Sequence, residues 1–304
     1  MACRFDIIAS GLDEQYTEDV VTAALEEIHR LDEMLSAFNP TSELSFLNAE
    51  AAVRPVIVSP DLFRLLVIAR QVCEETGGAF DVTTGPLIKL WRQAEQTAKE
   101  RCEEALESAL EKVGMSRVHL DESINAVRFD TAGVEINLGG IGKGFAVQRA
   151  VEMLKEYGIE SGMVSGGGST VSAIGNSAEG RSWRIGIRHP SNLNERVDAV
   201  TLRDRALSHS GGVEQKDPNF EEKSEHIIDP ATGRPVVPSV VSATVMADDA
   251  ALADALSTAV YLRGRKLAEE YASAHPSVGI ILVERVGDED ELRVCRFGGG
   301  TRDD

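Results

Sequence analysis

The chain has 304 residues, 42% hydrophobic and 27% charged, with a formal net charge of −19. That balance belongs to a globular protein of one large or two ordinary domains. The acidic surplus argues against nucleic acid or an anionic membrane as the main partner, because either would be repelled.

No apolar run is long enough to span a membrane. Four scattered cysteines (Cys3, Cys73, Cys102, Cys295) with no CxxC pair argue against a disulfide framework or a zinc site. The first residues carry no basic segment followed by a long apolar core. No signal peptide is read, and the cytoplasm is the expected location.

Residues 4–9 alternate apolar and polar and predict a strand. Residues 17–35 predict an amphipathic helix, with Val20, Val21, Ala24, Leu25, Ile28, Leu31 and Leu35 on its apolar side. Residues 38–45, rich in Asn, Pro, Ser and Thr, read as a loop. Ser59 as N-cap and Pro60 at the first helical position open a helix that Gly77-Gly78 closes. A polar helix is expected over 93–112, a hairpin over 115–130 and an apolar strand over 133–138. That strand runs into Gly139-Gly-Ile-Gly-Lys-Gly144 and a helix ending near Tyr157.

Further strands are expected at 183–188, 197–202 and 240–246. Asp248 is expected to cap the helix that follows. A helix over 267–274 and strands over 278–284 and 292–297 complete the chain, with a frayed tail from 298. Strands and helices mix without a βαβ period, so the expected class is α+β, with mixed, largely antiparallel sheets packed with helices. Residues 1–304 read as one region with room for two packed α+β subdomains.

Asp254 and Thr258 stand four apart on the expected helix, which puts a carboxylate and a hydroxyl on one face, beside Ser257. Such hard oxygens suit Mg²⁺, although the spacing alone equally fits a polar patch. The glycine loop 139–144 lets backbone approach a ligand, and the helix start with Lys143 favours an anion. Its spacing is neither Walker A nor GxGxxG, so a tight strand-to-helix turn remains an alternative. His226 precedes the turn sequence Asp229-Pro-Ala-Thr-Gly233 and is the natural candidate for proton transfer. His209, in a Ser-His-Ser-Gly-Gly run, is the other histidine of interest.

In this order the segments resemble the ApbE family of flavin transferases, the FAD:protein FMN transferases. The matching pieces are Leu35-Ser-Ala-Phe-Asn-Pro-Thr-Ser-Glu-Leu44 with Asn48, and Gly77-Gly-Ala-Phe-Asp-Val-Thr-Thr-Gly-Pro-Leu87 with Trp91. Asn137 to Gly144, Trp183-Arg-Ile-Gly186, Ser210-Gly211, 226–235 and 253–259 follow. The resemblance implies an ApbE-like fold and Mg²⁺-dependent cleavage of FAD. FMN would pass through a phosphodiester to a Thr or Ser hydroxyl of a partner protein, with release of AMP.

Carried over by position, the metal ligands would be Asp254, Thr258, the Ser257 position and the backbone carbonyl of Gly140. The flavin nucleotide would lie against Met1, Phe38, Ala79, Phe80, Asp81, Asn137, Lys143 and Ile228, and His226 would be the general base. Asn137 departs from the family's usual Asp, Ser169 from a frequent Asp, and Cys3 from a common Thr. These changes bear on substrate specificity. Two alternatives stay open: an FAD pyrophosphatase giving FMN and AMP, and a non-catalytic FAD-binding protein.

Overall fold

The computed structural model describes residues 1, 3–11, 13–97, 103–190, 192, 194–211, 227–236, 239–286 and 291–299. From the N-terminus come β1 (Phe5–Ser10), α1 (Glu14–Leu35), α2 (Glu43–Glu50), β2 (Val56–Ile57), α3 (Pro60–Glu75), α4 (Gly85–Thr97) and α5 (Glu103–Leu110). A 3₁₀ turn (Met115–Arg117) leads to β3 (Val118–Asp121), β4 (Ala126–Phe129), α6 (Gly142–Glu156), β5 (Ser161–Gly166) and β6 (Thr170–Ile174). Then follow β7 (Trp183–Arg188), β8 (Arg196–Leu202), β9 (Ala206–Gly211), β10 (Ser242–Ala247), α7 (Ala250–Arg263), α8 (Arg265–Ala274), β11 (Gly279–Val286) and β12 (Glu291–Gly298). The class is α+β, as the element order predicted.

The chain divides into two units. The first comprises Met1–Leu31, Ile141–Ser224 and Pro238–Asp304; the second comprises Asp32–Gly140 and Glu225–Val237. In the first, seven strands form one sheet in the order β1-β5-β6-β9-β10-β11-β12, with every pair antiparallel. Helices α6 and α7 pack on one face of it. On the other face Ala173, Leu207, Met246 and Ile281 meet Ile187, Val200 and Leu202 of the two-stranded ribbon β7–β8. Alternation along β9 follows: Ser208 and Ser210 point to the helices, Leu207 and His209 to the ribbon side.

The second unit holds the small sheet β2-β4-β3 with helices α2 to α5. The helix at 60 starts as predicted: Ser59 Oγ accepts the amide of Leu62 and Pro60 stands in the first turn. It stops at Gly77 and Gly78, which take φ of 60° and 79°, values glycine adopts without strain.

Three expectations need correction. The loop over 38–45 is shorter, because Ser42 accepts the amide of Ser45 at 2.9 Å and starts α2 at Glu43. The polar helix over 93–112 is two helices, α4 and α5, with 98–102 outside the described residues. Helix α4 starts back at the Gly85-Pro86 pair, because buried Leu87 and Trp91, four apart, share its inner face. The strand over 133–138 reduces to a single bridge from Glu135 to Thr84. The expected frayed tail lies outside the described residues from Gly300 onward.

Candidate active site

Helix α7 is built for close approach. Alanines at 250, 251, 253, 255 and 259 are all fully buried, and so small a side chain lets backbones draw near. Its cap is Asp249, not Asp248: the Asp249 carboxylate accepts the amides of Ala251 and Leu252 at 2.7 and 2.9 Å. Asp248 stands 78% exposed and pairs with Arg205 instead.

Asp254, only 4% exposed, points from α7 to the start of α6. Its Oδ2 accepts the Gly144 amide at 2.8 Å. Its Oδ1 accepts the Lys143 ammonium at 2.9 Å and the Ser208 hydroxyl at 2.9 Å, with Thr170 Oγ1 at 3.2 Å. Thr170 and Ser208 are themselves 2.9 Å apart. The buried charge is thus offset by an ammonium, a helix N-terminus and hydroxyls, which is what a carboxylate out of water requires.

Gly144 makes the contact possible. A Cβ there would lie 2.2 Å from the Ala250 carbonyl oxygen and 2.6 Å from Asp254 Cβ. The sequence pattern expects this helix start to favour an anion, and one of its amides, that of Gly144, binds the chain's own carboxylate.

A carboxylate offers about four acceptor positions. With Lys143, Ser208 and Thr170 on Oδ1 and only Gly144 on Oδ2, one position on Oδ2 remains. Thr258 Oγ1 lies 3.4 Å from the Asp254 carbonyl, one turn along the same face, and keeps its acceptor lone pairs. Among the described residues no group of three or more His, Cys, Asp or Glu is placed to hold a metal. A metal here would rest on one carboxylate, hydroxyls and carbonyls. That donor set fits Mg²⁺, which uses one or two carboxylates and completes its shell with water and phosphate.

Ser257 is more fully engaged: it donates to the Asp254 carbonyl at 2.9 Å and pairs with Ser210 Oγ at 2.8 Å. Of the residues singled out in the sequence, Lys143, Asp254, Ser257 and Thr258 come together in the first unit. Met1 belongs to the same unit, its carbonyl accepting the Cys3 amide and burial lowering its amine's pKa.

Phe38, Ala79, Phe80, Asp81, Asn137, Gly140 and Ile228 belong to the second unit. Ala79 and Phe80 are buried in it. Asp81 ties its own turn to the 3₁₀ segment, accepting Thr83 N at 2.7 Å, Thr83 Oγ1 at 2.5 Å and Met115 N at 2.9 Å. Asn137 accepts the Gly139 amide at 2.9 Å and shapes the glycine turn in which Gly140 sits. Ile228 packs against the cluster of Leu87, Trp91, Leu106 and Ala109. His226 lies outside the described residues.

Sequence reasoning missed Gly144 as a contact point, along with Thr170 and Ser208 as donors to Asp254. The alternating hydroxyls of Ser208-His-Ser210 were the available signal. His209 itself faces away from Asp254 and bonds Thr244 Oγ1 at 2.8 Å. Burial is the main cause that drops its pKa from 6.5 to about 4, so it is neutral at pH 7.

The sequence pattern of the ApbE family matches residues 1–282. The chain belongs to the ApbE family. An FAD:protein FMN transferase of Treponema pallidum is 32% identical to it over 281 residues, spanning 86% of this chain and 77% of that protein. The protein of the same name from Haemophilus influenzae is 31% identical over 279 residues, with 88% and 78% covered. Among solved structures, the ApbE protein of Thermotoga maritima superposes with a TM-score of 0.81 at 27% identity, covering 99% of this chain and 96% of that one. Within this ApbE-family chain no described helix is long and apolar enough to cross a membrane.

Proposed function

We propose that this ApbE-family chain transfers the FMN half of FAD to a Thr or Ser hydroxyl of a partner protein and releases AMP. The observation that carries the reading is the buried Asp254, held against Lys143 with one acceptor position left and Thr258 one turn away. The relatives' name, FAD:protein FMN transferase, supports the transfer of FMN from FAD to a protein.

The acceptor oxygen forms a bond to the phosphorus on the FMN side. The bond from that phosphorus to the bridging oxygen breaks, and AMP departs with the bridging oxygen. The hydroxyl proton passes to His226, a transfer usually worth ~10²–10⁴-fold. Mg²⁺ held by Asp254 and Thr258 would neutralise charge on the diphosphate and the departing oxygen.

Lys143 offers three N–H donors, of which one reaches Asp254. The others suit phosphate oxygens, and in so acidic a chain that local cation counters repulsion of the substrate. Phe38 offers a ring face for the isoalloxazine. Ala79, Phe80, Asp81, Asn137, Ile228 and Met1 complete the proposed flavin contacts, and Gly140 and Ser257 the proposed metal shell.

The test is to incubate the chain with FAD and Mg²⁺, with and without a peptide bearing an acceptor Thr, and to follow AMP and covalent FMN by mass spectrometry. Acceptor-dependent AMP with an FMN adduct is expected. AMP that forms without an adduct would replace transfer by hydrolysis. FAD held intact for hours would leave only a binding protein.

A further inference from the structure

Phe38 is 69% exposed, more than Phe46, Tyr16 or Tyr157. Its loop is nevertheless tightly knit. Ser36 Oγ accepts the amides of Phe38 and Asn39 at 3.3 and 3.1 Å. Ser42 Oγ donates to the Ser36 carbonyl at 2.6 Å, and Ser45 Oγ to the Asn39 carbonyl at 2.7 Å. A backbone so tied holds an apolar ring out in water, where exposure is unfavourable.

Arg92 covers the ring. Its guanidinium carbon lies 4.5 Å from the Phe38 centroid, well within cation–π range. The helix that carries Arg92 is set in rotation by the residue before it. Trp91 is buried among Leu87, Leu106 and Ala109, and its Nε1 donates to the Gly233 carbonyl at 2.7 Å. With Trp91 fixed inward, Arg92 must emerge on the outer side of α4. The same anchor reaches Ile228, which packs on this cluster.

We propose that Arg92 is a positioning residue for the flavin: its guanidinium holds one face of Phe38, so that the opposite face stays presented to the isoalloxazine ring. The inference rests on the FMN-transfer reading and extends it to a residue outside the proposed contact set. The gain comes from preorganisation, because a ring already fixed loses less freedom when a second ring stacks on it. The partner on that face is a flat aromatic ring, and the flavin half of FAD is assigned to it rather than the adenine.

The experiment uses the full chain and three variants: Arg92→Met, which keeps the apolar stem but removes the charge, Phe38→Leu, and the double variant. FMN and FAD affinities are read by flavin fluorescence, AMP affinity by calorimetry, and folding by thermal melts. For Arg92→Met we expect FMN and FAD to bind roughly two- to fivefold more weakly, the fold-change of an exposed cation–π contact. KM for FAD should rise by the same factor, with kcat moving less, and Tm should hold. In the Phe38→Leu background the same change should do nothing further, and AMP affinity should stay level throughout.

Equal FMN affinity in Arg92→Met would overturn the proposal. So would an equal loss with and without Phe38, since Arg92 would then act by another route. Weakened AMP with unchanged FMN would overturn the choice of ring. If the unsubstituted chain bound no FAD, the transferase reading itself would fall, a result distinct from FAD bound equally by both proteins.

Discussion

Asp81 in the second unit and Asp254 in the first are both carboxylates held by several donors, yet they are held for different ends. The donors to Asp81 are two backbone amides, the Thr83 hydroxyl and, at 3.8 Å, the Cys73 thiol. All are neutral, and they occupy the whole carboxylate. Asp254 receives an ammonium and two hydroxyls crowded on Oδ1 and a helix-start amide alone on Oδ2, so Oδ2 keeps one acceptor position. The difference teaches that donor accounting separates a carboxylate that braces a turn from one that can take a ligand. Burial alone does not.

The sharpest way to break this contrast is to remove Asp254. Asp254→Ala leaves the half-buried Lys143 ammonium without its partner, a loss toward the lower end of the about 3–5 kcal/mol seen when a fully buried pair is broken. AMP release from FAD should vanish beyond that caused by unfolding. Activity per folded molecule equal to that of the unsubstituted chain would end the catalytic reading. Asp254→Asn keeps the shape and separates the two effects: Mg²⁺ should raise the melting temperature of the unsubstituted chain and not of this variant.

Gly144→Ala tests whether the position of Asp254 matters as well as its charge. The new methyl would collide with Ala250 and Asp254, and overpacking of this kind costs roughly 1–3 kcal/mol. Turnover should fall more than folding does, because the carboxylate must move. Asp81→Asn should cost about 1–3 kcal/mol, because one of its two oxygens becomes an NH2 that faces a donor, the amide of either Thr83 or Met115. Turnover should follow the folded fraction. A well-folded Asp81→Asn that no longer binds FAD would put Asp81 among the ligand contacts and dissolve the contrast.

The smallest effect lies on the other face of the large sheet. His209 has its pKa lowered to about 4 by burial. It is neutral in the folded chain and protonates at about 6.5 once unfolded. Its contribution to stability is therefore complete above 6.5, declines as pH falls toward 4, and levels off below that. The slope is about 1 kcal/mol per pH unit at most. Urea midpoints at pH 7 and pH 5 should show the decline, and His209→Gln should flatten it.

The sequence alone determined the class, the family and most elements, because these depend on local signals. Ser59-Pro60 opens α3 and Gly77-Gly78 closes it in the chain as in the pattern. The i, i+4 pair of Asp254 and Thr258 needed only a helix to share a face. What the tertiary structure decided is who meets Asp254. Gly144, Thr170 and Ser208 lie 110, 84 and 46 residues away along the chain, and no periodicity relates them. The register of β6 against β9 sets Thr170 beside Ser208, and the absence of a Cβ at Gly144 lets α7 close on α6. The same distinction holds for Asp81 and Asn137. The motif marks them as residues of interest, and only the fold reveals that their oxygens hold backbone amides of their own unit.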